Sequence, residues 1–303
     1  MRTAQLDPQR GYLNKWEMYR ALRGRRLGPF RLPYTERLSR ASLVRMLHRY
    51  RRVYVKPVDG WGGHGIGVME RRGPAWLWRR MGEAPRPLAS ERAAVDAVLT
   101  AFDGHPAVVQ QAAPLLRYRD RPFDIRAHAQ RDAEDRWVYA GALARIGGAG
   151  AFVSNVAVTG GTVEPVEAVL HPLLGPQPTR EVMRKLPRIA RSVAQALDAY
   201  RLFEEVGLDL GVDRAGHLWL LEVNTDDALG APSHELFAEL PDRRIYEAMR
   251  ARAEARQKAW VRWLIGALEE GVKSGVASGS ASTGDAEGCG LPSGGMPPIM
   301  GTM

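Results

Sequence analysis

The residue types best suited to chemistry sit in two stretches of this chain. One, residues 205–224, reads EVGLDLGVDRAGHLWLLEVN, and three oxygen-bearing side chains interrupt its apolar runs: Asp209, Glu222 and Asn224. Residues 222 and 224 share one face of a strand, because strand side chains alternate. If Val212 pairs with His217 across the turn, Asp209 joins that face as a diagonal neighbour of Glu222, about 7–8 Å away at the backbone. A slip of one residue would turn Asp209 to the opposite face. Two carboxylates and an amide oxygen suit Mg²⁺, with Mn²⁺ as the alternative; such an ion completes its shell with phosphate oxygens and water. Read as plain strand residues, they leave Glu222 uncompensated inside the apolar run LWLLEV, which is costly.

The other stretch, residues 53–70, reads VYVKPVDGWGGHGIGVME and packs five glycines into eight positions, 60–67, just after Lys56. It lacks the Gly-Lys-Ser/Thr ending of a P-loop, and no helix follows at once as in a dinucleotide fingerprint. Two readings stay open. The loop is a flap whose bare N–H groups close over a phosphate chain, with Lys56 adding a point charge, or it is a glycine-rich hairpin with a surface lysine.

The elements that must position these groups follow from periodicity. Helices are expected over 15–23, 39–51, 91–102, 181–200 (with Pro187 kinking it or marking a later start) and 243–270. Strands are expected over 53–58, 66–70, 107–111, 123–131, 137–146, 206–212 and 218–223. Residues 271–303 are rich in Gly, Ser, Ala and Pro and are expected to be a disordered tail. The expected division is a basic helical segment 1–52, a small subdomain 53–107 with the glycine flap, and a large subdomain 108–270 with the metal site.

Composition narrows the class. The 303 residues are 45% hydrophobic and 25% charged, ordinary for a globular protein with ample core. No apolar run is long enough for a transmembrane helix, and the N-terminus lacks a signal-peptide core, which points to a cytoplasmic protein. The single cysteine, Cys289, excludes an internal disulfide framework. The net charge of +9 is concentrated before residue 53, where Asp7, Glu17 and Glu36 face many arginines. Such a face can meet nucleic acid or an anionic surface. No stacking motif or recognition helix accompanies it, so nucleic acid is not the expected partner.

Seven pieces in order give a family resemblance: NKWEMYRAL, LPYTERLS, YVKPVDGWGGHGIGV, VVQQAAPL, RPFDIRAHAQRD, ARIGGAGAFVSNVAVTGG, and GLDLGVD followed by LWLLEVN. Over residues 14–232 the chain resembles the ATP-grasp superfamily, and within it the YheC/YheD-type endospore-coat-associated proteins. The resemblance implies an α+β fold of two subdomains that hold ATP between them. It implies that Lys56 reaches the nucleotide phosphates and that Gly62, Gly63, Gly65 and Gly67 form the flap above them. Gln110 or Gln111, with the backbone at Ala112 and Ala113, would meet adenine at the hinge. Asp209, Glu222 and Asn224 would hold Mg²⁺. Arg126 and Arg145 would line the phosphate and acyl-phosphate region, and Asn155 would lie near the metal and γ-phosphate. Lys15 matches an early lysine of the family. An alternative for Arg126 is a structural ion pair with Asp124 or a neighbour.

Three departures bear on the acceptor side. The segment after the hinge, LLRYRDRP, leaves Asp120 as the candidate ribose contact. TDDALG stands where many of these ligases have a Pro-Gly turn. Only about fifty residues precede Lys56, so the usual N-terminal substrate domain is expected to be absent or reduced. The implied activity is an ATP-dependent carboxylate–amine ligase working through an acyl phosphate, with ATP, an unidentified carboxylate and an unidentified amine as partners and a link to sporulation. The alternatives are a catalytically weak nucleotide-binding protein associated with spore-coat proteins, and an anionic-surface binder acting through the arginine-rich N-terminus.

Overall fold

A computed structural model describes residues 13–59, 65–200, 203–225 and 234–278, with side chains to Glu269. Elements are numbered in chain order. An antiparallel sheet and a mixed sheet face each other, and each carries helices on its outer side.

The smaller sheet has six strands in the order β2-β7-β3-β4-β5-β6. They are β2 (Thr35–Arg37), β3 (Arg52–Pro57), β4 (Gly67–Arg72), β5 (Ala75–Arg80), β6 (Arg86–Leu88) and β7 (Ala107–Gln111). Strict alternation along β3 sends Val53 and Val55 into the core, while Arg52, Tyr54 and Lys56 take the other face. The core face is covered by α2 (Arg40–Arg49) and α3 (Glu91–Ala101), which bring Leu43, Met46, Leu47, Val95 and Val98 against Val53, Val55, Met69, Trp76, Trp78 and Val109. Ser39 and Ser90 cap these helices with their hydroxyls, satisfying first-turn N–H groups.

The larger sheet runs β1-β13-β12-β9-β10-β11, with β8 paired to β9. Its strands are β1 (Phe30–Arg31), β8 (Arg117–Tyr118), β9 (Arg121–Arg131), β10 (Trp137–Ile146), β11 (Thr162–Glu164), β12 (Glu205–Val212) and β13 (Leu218–Thr225). One face is apolar, with Ile125, Ala127, Ala129, Leu208, Leu210, Leu218 and Leu220. It packs beneath α1 (Lys15–Leu22), α5 (Val166–Leu174) and α6 (Pro176–Leu197), chiefly through Leu170, Leu186, Ile189, Val193 and Leu197. The other face of β9 presents Asp124, Arg126, His128 and Gln130, all buried. The short helix α4 (Val156–Thr159) and the long α7 (Arg244–Ser278) complete the set.

Several expectations change. The basic segment 1–52 is not a separate unit: its described part divides. Leu13, Met18, Ala21 and Leu22 join the large core, and β1 pairs with β13, while β2 and α2 belong to the small subdomain. Its arginines are likewise spread over local partners, such as Arg40 with Asp96, Arg45 with Glu36 and Arg49 over the Tyr34 ring. β7 lies in the small sheet, so the sheet boundary falls after 111 rather than at 107. α6 starts at Pro176 and continues through Pro187 without a break. α7 extends to Ser278, so residues 271–278 are helical; the rest of the expected tail lies outside the described residues.

Candidate nucleotide and metal site

The polar face of the large sheet is where the expected site residues collect, and a strand irregularity makes this happen. Val212 pairs with Leu218, one residue away from the expected register. That shift alone would have turned Asp209 away from Glu222. A bulge at Leu221 restores the phase, so Asp209 stands directly opposite Glu222 rather than diagonal to it, and Gly207 stands opposite Asn224. Leu218, Leu220 and Val223 keep to the core side, leaving Glu222 and Asn224 on the polar side with Asp209.

Arg126, on β9 beside Asp209, donates from Nε to Asp209 Oδ1 at 2.6 Å. Arg145, on β10, binds the other oxygen of Asp209 at 2.7 Å and clamps Asp124 through Nε at 2.8 Å and Nη2 at 2.7 Å. The Ser154 hydroxyl donates to Asp124 Oδ2. A buried chain of alternating charge therefore runs Asp124–Arg145–Asp209–Arg126, with the half-buried Ser154 hydroxyl at its Asp124 end. Burial would raise the Asp209 pKa, but Arg126 and Arg145 outweigh it and hold the carboxyl below its ordinary value. Burial would lower Arg145, and Asp124 and Asp209 outweigh it in turn. Arg126 does form an ion pair, with Asp209 and not with Asp124. Gly207 makes room for it: a Cβ there would sit 3.0 Å from Arg126 Cδ.

Lys15 Nζ lies 3.0 Å from Glu222 Oε1, so this carboxylate already has a cation beside it. Lys56 Nζ donates to Gln110 Oε1 at 2.7 Å, and Gln110 Nε2 donates to Thr35 Oγ1 at 3.0 Å. Gln110 thus orients Lys56 from the neighbouring strand. Desolvation pushes the Lys56 ammonium down to about 8, with the Lys15 cation adding to the effect and Glu222 and Asp209 opposing it. Lys15, Lys56, Arg126 and Arg145 face Asp124, Asp209 and Glu222, a cationic balance suited to a polyphosphate.

The remaining expected residues lie around this centre. Gly62 and Gly63 fall outside the described residues. Gly65 has φ +68°, a left-handed turn conformation that favours glycine. Gly67 has a packing reason as well, since a Cβ there would lie 1.9 Å from the Trp78 ring. Gln111 accepts from the Tyr34 N–H through Oε1. The Ala112 N–H is taken by Arg52 O and Ala113 O by the Leu115 N–H. Asn155 caps α4, accepting from the Val158 N–H at 3.0 Å. Asp120 sits in the tight β8–β9 turn, where it and Arg119 both have positive φ.

Sequence reasoning overlooked Asp124 as Arg145's partner, and Ser154, Phe152 and His128. The signal for the first was present: polar residues 124, 126, 128 and 130 alternate with Phe123, Ile125, Ala127 and Ala129, which puts one polar row on one strand face. Phe152 crosses the cleft. It packs with Ile66 and Val68 of the small subdomain, its carbonyl accepts from the Tyr54 hydroxyl at 3.2 Å, and Arg79 lies over its ring at 5.4 Å. Farther along the row, Glu205 accepts from Gln130 at 2.7 Å and contacts His128 at 3.2 Å and His234 at 2.7 Å. Burial lowers the His128 pKa, and the bonds to His128 and His234 outweigh burial at Glu205 and lower its own.

A family model described as YheC/D-like ATP-grasp matches residues 7–253. The chain belongs to this ATP-grasp family. A curated relative, the endospore coat-associated protein YheD of Bacillus subtilis (strain 168), is 26% identical over 231 residues, which are 74% of this chain and 50% of the relative. The chain therefore spans about half the length of that relative. Among solved structures, the C-terminal domain of K. lactis Pby1, described as an ATP-grasp enzyme interacting with the mRNA decapping enzyme Dcp2, has 14% identity and TM-score 0.38, over 69% of this chain and 62% of its own. The ADP complex of purK, N5-carboxyaminoimidazole ribonucleotide synthetase, has 11% identity and TM-score 0.44, over 71% and 45%. The two facing α+β subdomains of this ATP-grasp chain, with Lys56 on one and Asp209 on the other, are the architecture the resemblance implied.

The donor set of the ATP-grasp chain fits a hard divalent ion. Asp209, Glu222 and Asn224 offer only oxygen ligands from one sheet face, and Asn224 turns its Nδ2 toward Gly207 O at 3.5 Å, leaving its Oδ1 for another partner. Among the described residues no cluster of three or more His, Cys, Asp or Glu suits a metal, so the fit depends on the amide and on ligand oxygens from a phosphate chain.

Proposed function

We propose that this chain is an ATP-dependent ligase joining a carboxylate to an amine through an acyl phosphate. The observation that carries the reading is the convergence of Lys56 from one subdomain with Arg126, Arg145, Asp209 and Glu222 from the other. In the first step a substrate carboxylate oxygen bonds to the γ-phosphorus of ATP, and ADP leaves. In the second an amine nitrogen bonds to the acyl carbon, phosphate leaves, and the amine loses a proton. Mg²⁺ held by Asp209, Glu222 and Asn224 would offset phosphate charge. Lys56 would bind the phosphates. Arg145, fixed by Asp124 and Asp209, and Arg126 supply positive charge without reorganising during the reaction. Ala112 O and Ala113 N–H make no backbone bond among the described residues and are the acceptor–donor pair for adenine. The two facing sheets would exclude the water that hydrolyses an acyl phosphate.

One observation favours a second reading. Asp209 is held by two arginines and Glu222 by Lys15, so the protein supplies its own countercharges where a ligase would place a metal. A nucleotide-binding protein of low activity, with a spore-coat association like that in the relative's name, fits this pairing. ADP release, measured across panels of carboxylates and amines, tests the choice. Turnover that requires both partners supports the ligase. MgATP binding with no turnover by any pair supports the second reading.

A further inference from the structure

The buried arginines of this chain come with carboxylates: Arg126 and Arg145 with Asp209, Arg145 also with Asp124, and Arg131 with Asp198. Two half-buried arginines of the small sheet, Arg52 and Arg79, do not. Met69 and Trp78 turn into the small core, so their strand neighbours Val68 and Arg79 take the cleft face with Arg52 and Tyr54. Tyr54, Val68 and Arg79 stand in one row across β3, β4 and β5. These three strands carry a single acid, Glu70, and it binds Arg72 at 3.4 Å. Arg52, Arg72 and Arg79 thus share one carboxylate. Among the described residues neither Arg52 nor Arg79 makes an ion pair, and the buried Nε of each has no hydrogen-bond partner. Burial and then the Arg52 cation hold the Arg79 guanidinium below its ordinary value, against the pull of Glu70.

Two like charges held together out of water are costly, yet both guanidiniums are braced in place. Arg52 lies over the Tyr54 ring at 5.3 Å and donates from Nη2 to its hydroxyl at 3.2 Å. That hydroxyl donates to Phe152 O at 3.2 Å, and Arg79 lies over the Phe152 ring at 5.4 Å. Stacking fixes the plane of a guanidinium and leaves its N–H edge to meet an oxyanion. Lys56, the residue for the ATP phosphates, is four positions past Arg52 on β3, about 13 Å along the strand. Arg79 lies two strands over from Lys56, on the order of 10 Å away. We propose that Arg52 and Arg79 form a second oxyanion subsite in the cleft, which takes a carboxylate or phosphate group of a ligand other than ATP. Naming that ligand as the carboxylate or amine substrate rests on the ligase reading; the subsite itself does not.

Thermal melts of the full chain test it with two probes, inorganic phosphate and glutarate. The protein is first saturated with a non-hydrolysable MgATP analogue, so that the nucleotide phosphate positions are filled. At least one probe should raise the melting temperature further, and the stronger of the two tells a phosphate from a carboxylate ligand. Arg52→Gln and Arg79→Gln should each weaken that probe about tenfold, through loss of a charge-assisted contact. Arg86→Gln, at an exposed position on β6, should leave it unchanged. Affinity for the MgATP analogue should be the same in all four proteins. Arg79→Met keeps an apolar stem and removes the charge, so the unliganded protein should melt at the same or a higher temperature. A lower one would mean that Arg79 serves only to pack on Phe152, and would overturn the proposal. So would no rise with either probe, or a rise kept in both glutamine variants. Analogue binding weakened as much by Arg79→Gln as by Lys56→Met would give the pair to the nucleotide instead. Where a carboxylate and amine pair turns over, Arg79→Gln should raise the KM of one partner about tenfold at nearly constant kcat. Absence of turnover with every pair counts against the ligase reading, and the melts still decide the subsite.

Discussion

Arg126 and Asp209 face each other across β9 and β12 with Nε and Oδ1 2.6 Å apart, and both side chains are almost fully buried. Because Arg145 holds the second oxygen of Asp209, neither arginine is an independent group. Removing one leaves the carboxylate buried with half its compensation, which costs more than the pair contributes as a whole. Arg126→Gln should lower unfolding stability by about 2–4 kcal/mol. A double-mutant cycle of Arg126→Gln with Asp209→Asn should show coupling of at least about 1 kcal/mol. Urea unfolding of the four proteins measures it, and additive losses would contradict a direct pair.

Lys56 gives a pH signature. Its folded value of about 8 lies below the ordinary 10.5, so the unfolded chain binds more protons between those limits. Stability therefore rises with pH across that window as the buried ammonium is relieved of its charge, and the penalty is fully present below about 8. Lys56→Met should remove this contribution, so the wild type should gain on the variant as pH increases from neutral to alkaline. Thermal melts of both proteins over that range test it. A polyphosphate placed on Lys56 would favour its charged form. MgATP binding near pH 8 should then take up protons, visible by calorimetry in buffers of different ionisation enthalpy. Lys56→Met should weaken ATP binding by about 1.5–3 kcal/mol.

The strands carrying Lys56, Arg126 and Glu222 were legible because apolar runs bounded by turns leave little choice of element. The register was not. Pairing Val212 with Leu218 and then inserting a bulge at Leu221 depends on which side chains the helices above the sheet can bury, and α1, the helix against β13, lies far from it in sequence. Lys15 was noticed only through the family motif, because its contact with Glu222 spans more than two hundred residues. Strand β5 escaped notice because Trp76, Leu77 and Trp78 run together without alternation, both tryptophans filling the small core. Lys56 and the hairpin with Asp209, Glu222 and Asn224 were singled out from local residue types; the arginine clamp on Asp124 and Asp209 needed three strands brought side by side.

Phe152 and Ser154 tie one loop to both subdomains. Phe152 packs against Ile66, Val68 and Tyr54 of the small sheet, and Ser154 binds Asp124 on the large one. Phe152→Ala should destabilise the protein by about 2–4 kcal/mol, below a fully core phenylalanine because the cluster is small. The cleft-side amides of Tyr54 and Val68 should also lose hydrogen-exchange protection. Ser154→Ala should cost only about 1 kcal/mol, since Arg145 keeps Asp124 paired. Equal protection of β3 and β4 in Phe152→Ala would show that the loop does not hold the sheets together.

Glu222 is the position where the metal and ion-pair readings make opposite demands. Read from LWLLEVN alone, its carboxylate lacks a countercharge until a cation binds, and Glu222→Gln should leave the unliganded protein as stable or more stable. The structure overturns that expectation, because Lys15 Nζ sits 3.0 Å away on a nearly buried side chain. Glu222→Gln takes the carboxylate charge from beside that ammonium, so the unliganded protein should lose about 1 kcal/mol, modest because Glu222 is partly exposed. A metal role is read separately from the ligand effect. In the wild type, ATP with Mg²⁺ should raise the melting temperature well above ATP with EDTA; in Glu222→Gln that extra rise should shrink to nearly nothing. ADP formation with any carboxylate and amine pair that the wild type accepts should fall by two or more orders of magnitude. Should the variant keep the full Mg²⁺-dependent rise, Glu222 belongs to the Lys15 ion pair alone, and the metal must be held without it.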